Sequence, residues 1–162
     1  MTDKGSTAAR RPSAAEVAKV MRHAETLCAE RGLRFTPIRR EAYAVMLRHQ
    51  RPLSAYQLLE LMQAQQQRRL APLTVYRALD FLVDSGLAHK LETAHAFVAC
   101  DHPDEMHQSL YLLCTDCGSS EEVATERLTR LIDREASQRH FRPSRQVVEI
   151  EGLCSACAEP QP

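Results

Sequence analysis

Four cysteines in the second half of the chain fall into two C-x-x-C pairs, Cys114-Thr115-Asp116-Cys117 and Cys154-Ser155-Ala156-Cys157. Each pair sets two thiolates on one tight turn. Four thiolates suit the tetrahedral, ligand-saturated coordination of a structural Zn²⁺. Gly118 follows the first pair, Gly152 shortly precedes the second, and 36 residues separate the two. That interval is longer than in a compact zinc ribbon, so a helix and strands must fold back between the pairs. The ion would then close a long loop. An iron–sulfur cluster or two disulfides would draw on the same residues.

A looser set overlaps the first. From Ala99 to Gly118 the chain carries three cysteines, two histidines and four acidic residues. His89, Cys100, His107 and Glu122 together offer sulfur, nitrogen and oxygen ligands for a second ion. Each also has a plainer use, because a strand histidine can face DNA or solvent and a strand cysteine can pack in a core. Spacing alone leaves this second site open. His23, His49 and His140 read as helix-surface or loop residues, while His95 and His102 lack a definable partner set. An enzymatic reading would pair Cys100 with His107 as nucleophile and base. A site filled by side-chain ligands disfavours it, so no catalytic residue and no small-molecule substrate are expected.

The chain has 162 residues, 44% apolar and 26% charged, enough for one ordinary or two small domains. No apolar run approaches the ~18 residues of a membrane helix, and the N-terminus lacks the apolar segment of an export signal. A cytoplasmic protein is expected, and in that reducing compartment six cysteines favour metal over disulfides. The zero net charge conceals a division. Residues 1–90 hold 15 Lys/Arg against 8 Asp/Glu, and residues 91–162 hold 6 against 13. A basic half suited to a polyanion beside an acidic, cysteine-rich half implies two domains with separate partners, unless solvated faces merely differ.

Elements that must position these residues are marked locally. Residues 1–12 read as a polar, basic tail. Ser13 and Glu16 form a capping box ahead of the stripe Val17, Val20, Met21, Ala24, Leu27 and Cys28, which runs to Gly32. Thr36-Pro37 opens a second helix, Ser54 a third and Pro72 a fourth, whose apolar set Val75, Ala78, Leu79, Leu82 and Val83 ends before Gly86. L-A-H-K-L and H-A-F-V-A-C, broken at E-T-A, predict a hairpin. Helices followed by a β-ribbon make a winged helix-turn-helix over 13–99, with the fourth helix in the major groove of double-stranded DNA. Arg77 is the expected guanine reader, with Tyr76, Tyr56 and Thr74 as further contacts and Lys90 and Lys19 on phosphates. Beyond a hinge at 100–108, two strands, a helix carrying Leu128, Leu131 and Ile132, and a last strand form a small α/β domain over 109–158. A short tail, 159–162, ends the chain. The fold class is α+β.

T-V-Y-R-A-L-D-F-L-V-D-S-G-L-A-H-K-L-E, F-V-A-C, H-Q-S-L-Y-L-L-C-T-D-C-G and G-L-C-S-A-C, in that order, resemble the ferric uptake regulator superfamily, and most of all its zinc-uptake branch. The resemblance spans residues 17 to 158. It implies a winged-helix domain, a hinge and a C-terminal dimerisation domain. It also implies a structural zinc on Cys114, Cys117, Cys154 and Cys157, and a regulatory zinc on His89, Cys100, His107 and Glu122, about two ions per chain. The expected function is zinc-responsive repression of zinc-uptake genes by a homodimer on palindromic operators. Iron-, manganese- or peroxide-responsive regulation, or constitutive DNA binding with structural zinc only, are the alternatives. In place of the His-rich run of iron-type members stands D-H-P-D-E-M-H, and a thiolate in the second set favours Zn²⁺ over Fe²⁺ or Mn²⁺. The chain ends in A-E-P-Q-P without the His-rich tail of some zinc regulators, so a third metal site that depends on such residues is not expected.

Overall fold

The computed structural model describes residues 12–49, 51–67, 69–100, 103–104, 109–124, 126–143 and 146–158. They divide into two compact units, one ending at Pro103 and the other starting at Asp104. The expected tails, apart from Pro12, and most of the expected hinge lie outside the described residues.

In the first unit, α1 spans Ala14–Glu30, α2 Pro37–His49, α3 Ala55–Gln66 and α4 Pro72–Asp84, before strands β1 Ala88–Leu91 and β2 Ala96–Ala99. Local chemistry sets these limits. The Ser13 hydroxyl accepts from the Glu16 N–H while the Glu16 carboxylate accepts from the Ser13 N–H, and Ser54 and Gln57 repeat the exchange at α3. α4 has no side-chain cap; Pro72 after Ala71 simply removes one donor that the helix could not satisfy. Both α1 and α4 end in Schellman motifs. Gly32 and Leu33 N–H donate to the Ala29 and Cys28 carbonyls, and Gly86 and Leu87 N–H to those of Val83 and Leu82. Gly32 sits at φ +66° and Gly86 at φ +76°, in the left-handed region that a β-carbon disfavours.

Apolar stripes of the four helices meet in one core that includes Cys28, Tyr43, Leu58, Met62, Leu79 and Leu82. Cys28 is thus a small hydrophobe, as its place on the stripe implies. β1 and β2 pair antiparallel from Ala88↔Ala99 to Leu91↔Ala96. Leu53, between α2 and α3, adds a bridge to Phe97, each N–H donating to the other's carbonyl at 3.0 and 2.8 Å. The ribbon is therefore bonded to the helices, completing a winged helix-turn-helix. His95, expected in the second strand, instead lies in the turn at φ +48°, so that strand starts one residue later.

In the second unit, β3 Ser109–Cys114, β4 Ser120–Ala124 and β5 Val148–Gly152 form a sheet in the order β4-β3-β5. β3 pairs antiparallel with β4 and parallel with β5, and the crossover that a parallel pair requires contains α5, Glu126–Gln138. Among its described residues α5 has none buried, and Leu131 is 46% exposed. A single-turn α6 covers Ser155–Ala158. Among the described residues no helix is long and apolar enough to cross a membrane.

Gly86→Ala tests the Schellman ending of α4. A β-carbon there would meet only Arg31 Nη1, at 3.9 Å, so the cost is conformational. The substitution should destabilise the first unit by about 1–2 kcal/mol, read from the urea midpoint. An unchanged midpoint would contradict this account.

Candidate metal centres and nucleic-acid interface

Because β3 and β5 run parallel, with Cys114 opposite Gly152, the two C-x-x-C pairs reach the same end of the sheet. Thr115 fastens the join, donating from its N–H and its hydroxyl to the Gly152 carbonyl at 2.9 and 3.2 Å. Gly118, at φ +68°, turns the chain so that Cys114 N–H donates to Ser119 C=O at 2.9 Å. The second pair is not a simple tight turn. The Cys154 carbonyl accepts from Cys157 and Ala158 N–H, forming the one turn of α6.

The four sulfurs lie within 4.8 Å of one another, and Cys117 Sγ is 3.8 Å from Cys154 Sγ. None of the six cysteines is in a disulfide. A tetrahedral ion with Zn–S bonds of about 2.3 Å spaces its sulfurs about 3.8 Å apart. The donor set therefore fits one such ion, and is too close-set for a cluster whose cysteines bind different irons.

Charge points the same way. Cys114 is held down to about 6, first by the Cys154 N–H, 3.4 Å from its sulfur, and then by the Cys117 N–H. The Ser119 hydroxyl, 3.1 Å from Cys117 Sγ, lowers that thiol as well. Cys157 is pushed up, first by the Asp116 side chain and then by Cys154. Polar groups thus favour the thiolate at Cys114 and Cys117 and the thiol at Cys157. Only a cation would let all four ionise. Asp116 and Ser119 were not singled out in the sequence; their places inside and just after the first pair were the available signal. Cys28, in the other unit, has its thiol raised by burial.

The wing supplies a second cluster. Its register sets His89 opposite Val98, and Cys100, two residues past Val98, shares their face as a diagonal neighbour of His89. Cys100 N–H donates to Leu87 C=O at 2.9 Å, extending the ladder beyond β2. A His89 ring nitrogen and Cys100 Sγ lie within 4.8 Å, a span that one ion with ordinary Zn–N and Zn–S bonds closes after slight adjustment. Glu122 lies on β4 in the second unit, half-buried and opposite Tyr111. His107 and His102 lie outside the described residues.

α4 buries Val75, Ala78, Leu79 and Leu82 and turns Leu73, Tyr76, Arg77 and Asp80 to solvent. Tyr76 is 50% exposed, and among the described residues no ion pair joins Arg77 to Asp80 or Asp84. Tyr56, in the first turn of α3, is 69% exposed; Thr74 is half-buried and Lys19 exposed on α1. Lys90 Nζ pairs with Glu92 at 2.6 Å, which engages part of its charge. Sequence reasoning passed over Leu73, 58% exposed and one turn before Tyr76 and Arg77 on the same face.

The chain matches the model of the Ferric uptake regulator family over residues 30–151. It is 36% identical over 142 residues to the zinc uptake regulation protein of Escherichia coli (strain K12), covering 87% of this chain and 82% of that one. It is similar to the structure of a zinc uptake regulator complexed with zinc and DNA, with a TM-score of 0.83 at 35% identity over 87% of this chain and 94% of that one. Holo XcZur gives a TM-score of 0.79 at 40% identity over 86% and 97%.

Metal binding to the four-cysteine cluster must displace the protons that its thiols hold. Zinc uptake by the metal-free protein at pH 7 should therefore release at least one proton per ion, measured by calorimetry in buffers of different ionisation enthalpy. Affinity should weaken about tenfold per pH unit of acidification for each proton displaced. Cys114→Ser should cost the second unit its ion and its cooperative unfolding, whereas Cys28→Ala leaves metal content unchanged. Equal metal loss in both variants would contradict the assignment.

Proposed function

Because the chain belongs to the ferric uptake regulator family, we propose that it is a zinc-responsive transcriptional regulator whose zinc-bound homodimer binds palindromic operators in double-stranded DNA and represses zinc-uptake genes. One observation carries the metal choice: a cysteine sulfur stands beside an imidazole on the wing. Thiolate with imidazole favours Zn²⁺ over the harder Fe²⁺ and Mn²⁺. Likeness to the Escherichia coli zinc uptake regulation protein and to the zinc- and DNA-bound regulator supports the same reading.

In this reading Cys114, Cys117, Cys154 and Cys157 hold a structural zinc that closes the second unit. His89, Cys100, His107 and Glu122 hold a regulatory zinc, giving about two ions per chain. Both sites are filled by four side chains, which leaves no open position for a substrate, so the protein is not an enzyme. It works in the cytoplasm, as a repressor of genes must in a bacterium.

The domains are 13–99 for DNA and 109–158 for dimerisation, with the hinge at 100–108 between them. α5 supports the dimer: with no residue buried, it offers Leu131, Ile132 and Ala136 beside Phe141 to a second copy. Drawing regulatory ligands from both sides of the hinge makes the ion fix one domain arrangement, since tetrahedral coordination has little slack. A preference of about 3–5 kcal/mol for that arrangement turns a minor conformer into the dominant one. In a two-fold dimer this sets the spacing of the two α4 helices, and hence operator affinity. Arg77 forks onto a guanine edge; Tyr76, Tyr56 and Thr74 add base or phosphate contacts; Lys90 and Lys19 bind phosphates.

Two zinc ions per chain are expected, with a mild chelator removing one together with operator affinity. Cys100→Ser should abolish metal-dependent operator binding and leave a folded dimer by light scattering. One ion per chain, with DNA binding indifferent to chelator, would overturn the proposal. Arg77→Ala should cost about 1–3 kcal/mol and relax the preference at one base pair, whereas Lys19→Ala weakens all sequences alike and lowers the salt slope by about 1.

A further inference from the structure

Arg31 is the C-cap of α1, and its side chain leaves that helix to grip two other segments. Nη1 donates to the Ser85 carbonyl at 2.8 Å and Nη2 to the Pro103 carbonyl at 3.0 Å. Ser85 is the C-cap of α4, at the negative end of the helix dipole, where carbonyls have no intrahelical donor. Pro103 lies three residues beyond Cys100. Between these contacts, Cys100 N–H bonds to the carbonyl of Leu87, two residues past Ser85. Cys100 is therefore joined to the stretch 85–87 by backbone and Pro103 through one guanidinium, and His89 follows Leu87 by two residues.

A planar guanidinium presents two terminal nitrogens to two acceptors at once, while an ammonium is a single point of charge. Both bonds are charge-assisted and part-buried, which strengthens them.

We propose that Arg31 is a positioning residue for the regulatory metal. It ties Pro103, three residues past Cys100, to the end of α4, so that the Cys100 thiolate and the His89 imidazole stand ready for one ion. This rests on the zinc-responsive reading. Preorganised ligands raise affinity because the ion does not have to order them. Without Arg31 that ordering falls to the ion, and more zinc is needed. Once zinc saturates, the ion itself imposes the arrangement and operator affinity recovers.

The test uses full-length wild type, Arg31→Lys and Arg31→Gln on a duplex selected from random DNA by the zinc-loaded wild type. Operator binding is titrated against buffered free Zn²⁺, and Co²⁺ binding without DNA is followed by thiolate absorption. Arg31→Gln should move the zinc midpoint at least tenfold higher, Arg31→Lys by less, with saturating-zinc affinity within about twofold of wild type. The cobalt titrations should shift in the same order. A midpoint within twofold of wild type in both variants overturns the proposal. So does a loss confined to saturating zinc and tracking a lower melting temperature, the mark of a merely structural residue. If wild-type operator binding ignores zinc, the zinc-responsive reading fails, and the cobalt titrations alone then decide the role of Arg31.

Discussion

Four thiolates within 4.8 Å of one another repel, and the second unit cannot keep its sulfurs together and ionised without a cation. The rest of that unit is built around this requirement. Parallel pairing of β3 with β5 brings Cys114 beside Gly152, Thr115 fastens the join, and Gly118 and α6 turn the two pairs inward. Little else could hold so short a stretch. Among the described residues its sheet buries Tyr111, Leu113 and Cys114, and α5 has none fully buried. Small units with thin cores depend on a metal, a disulfide or a partner. This one has ligands for the first, and on the proposed reading its apolar α5 face takes the third.

The wing poses the opposite case. His89 and Cys100 share a face of one hairpin, but two side chains are half a tetrahedral set. An ion held by them keeps an open demand for ligands. On the proposed reading His107 and Glu122 meet that demand from beyond Cys100, so filling the site necessarily joins two parts of the chain. On that reading a closed set within one unit holds a fold together, while an incomplete set on the wing makes a switch. The same metal does both jobs because the placement of the ligands differs, not their chemistry.

What could be read from sequence follows from how local each signal is. Ser13 with Glu16, Ser54 with Gln57, and Gly32 and Gly86 announce helix ends within a few residues, and those helices stand where they were expected. The C-x-x-C pairs were legible because their residue type and spacing are the chemistry. Longer-range features carried no such mark. The Leu53–Phe97 bridge spans 44 positions, and the Arg31 bonds span 54 and 72. His95 entered the left-handed region without a glycine to betray a turn. A C-x-x-C pair reads alike whether it closes a tight turn or a helical one, which hid α6. His89, Cys100, His107 and Glu122 could be grouped by ligand type, but spacing left their site open; the strand register brings His89 and Cys100 to one face, and the regulatory role of all four came from family resemblance.

The most direct measurement of the central claim is metal selectivity: operator affinity of the dimer titrated in parallel against buffered free Zn²⁺, Fe²⁺ and Mn²⁺. A site containing the Cys100 thiolate predicts tight operator binding that switches on at far lower free Zn²⁺ than Fe²⁺ or Mn²⁺. Equal or stronger activation by Fe²⁺ or Mn²⁺, or binding indifferent to all three, would contradict it.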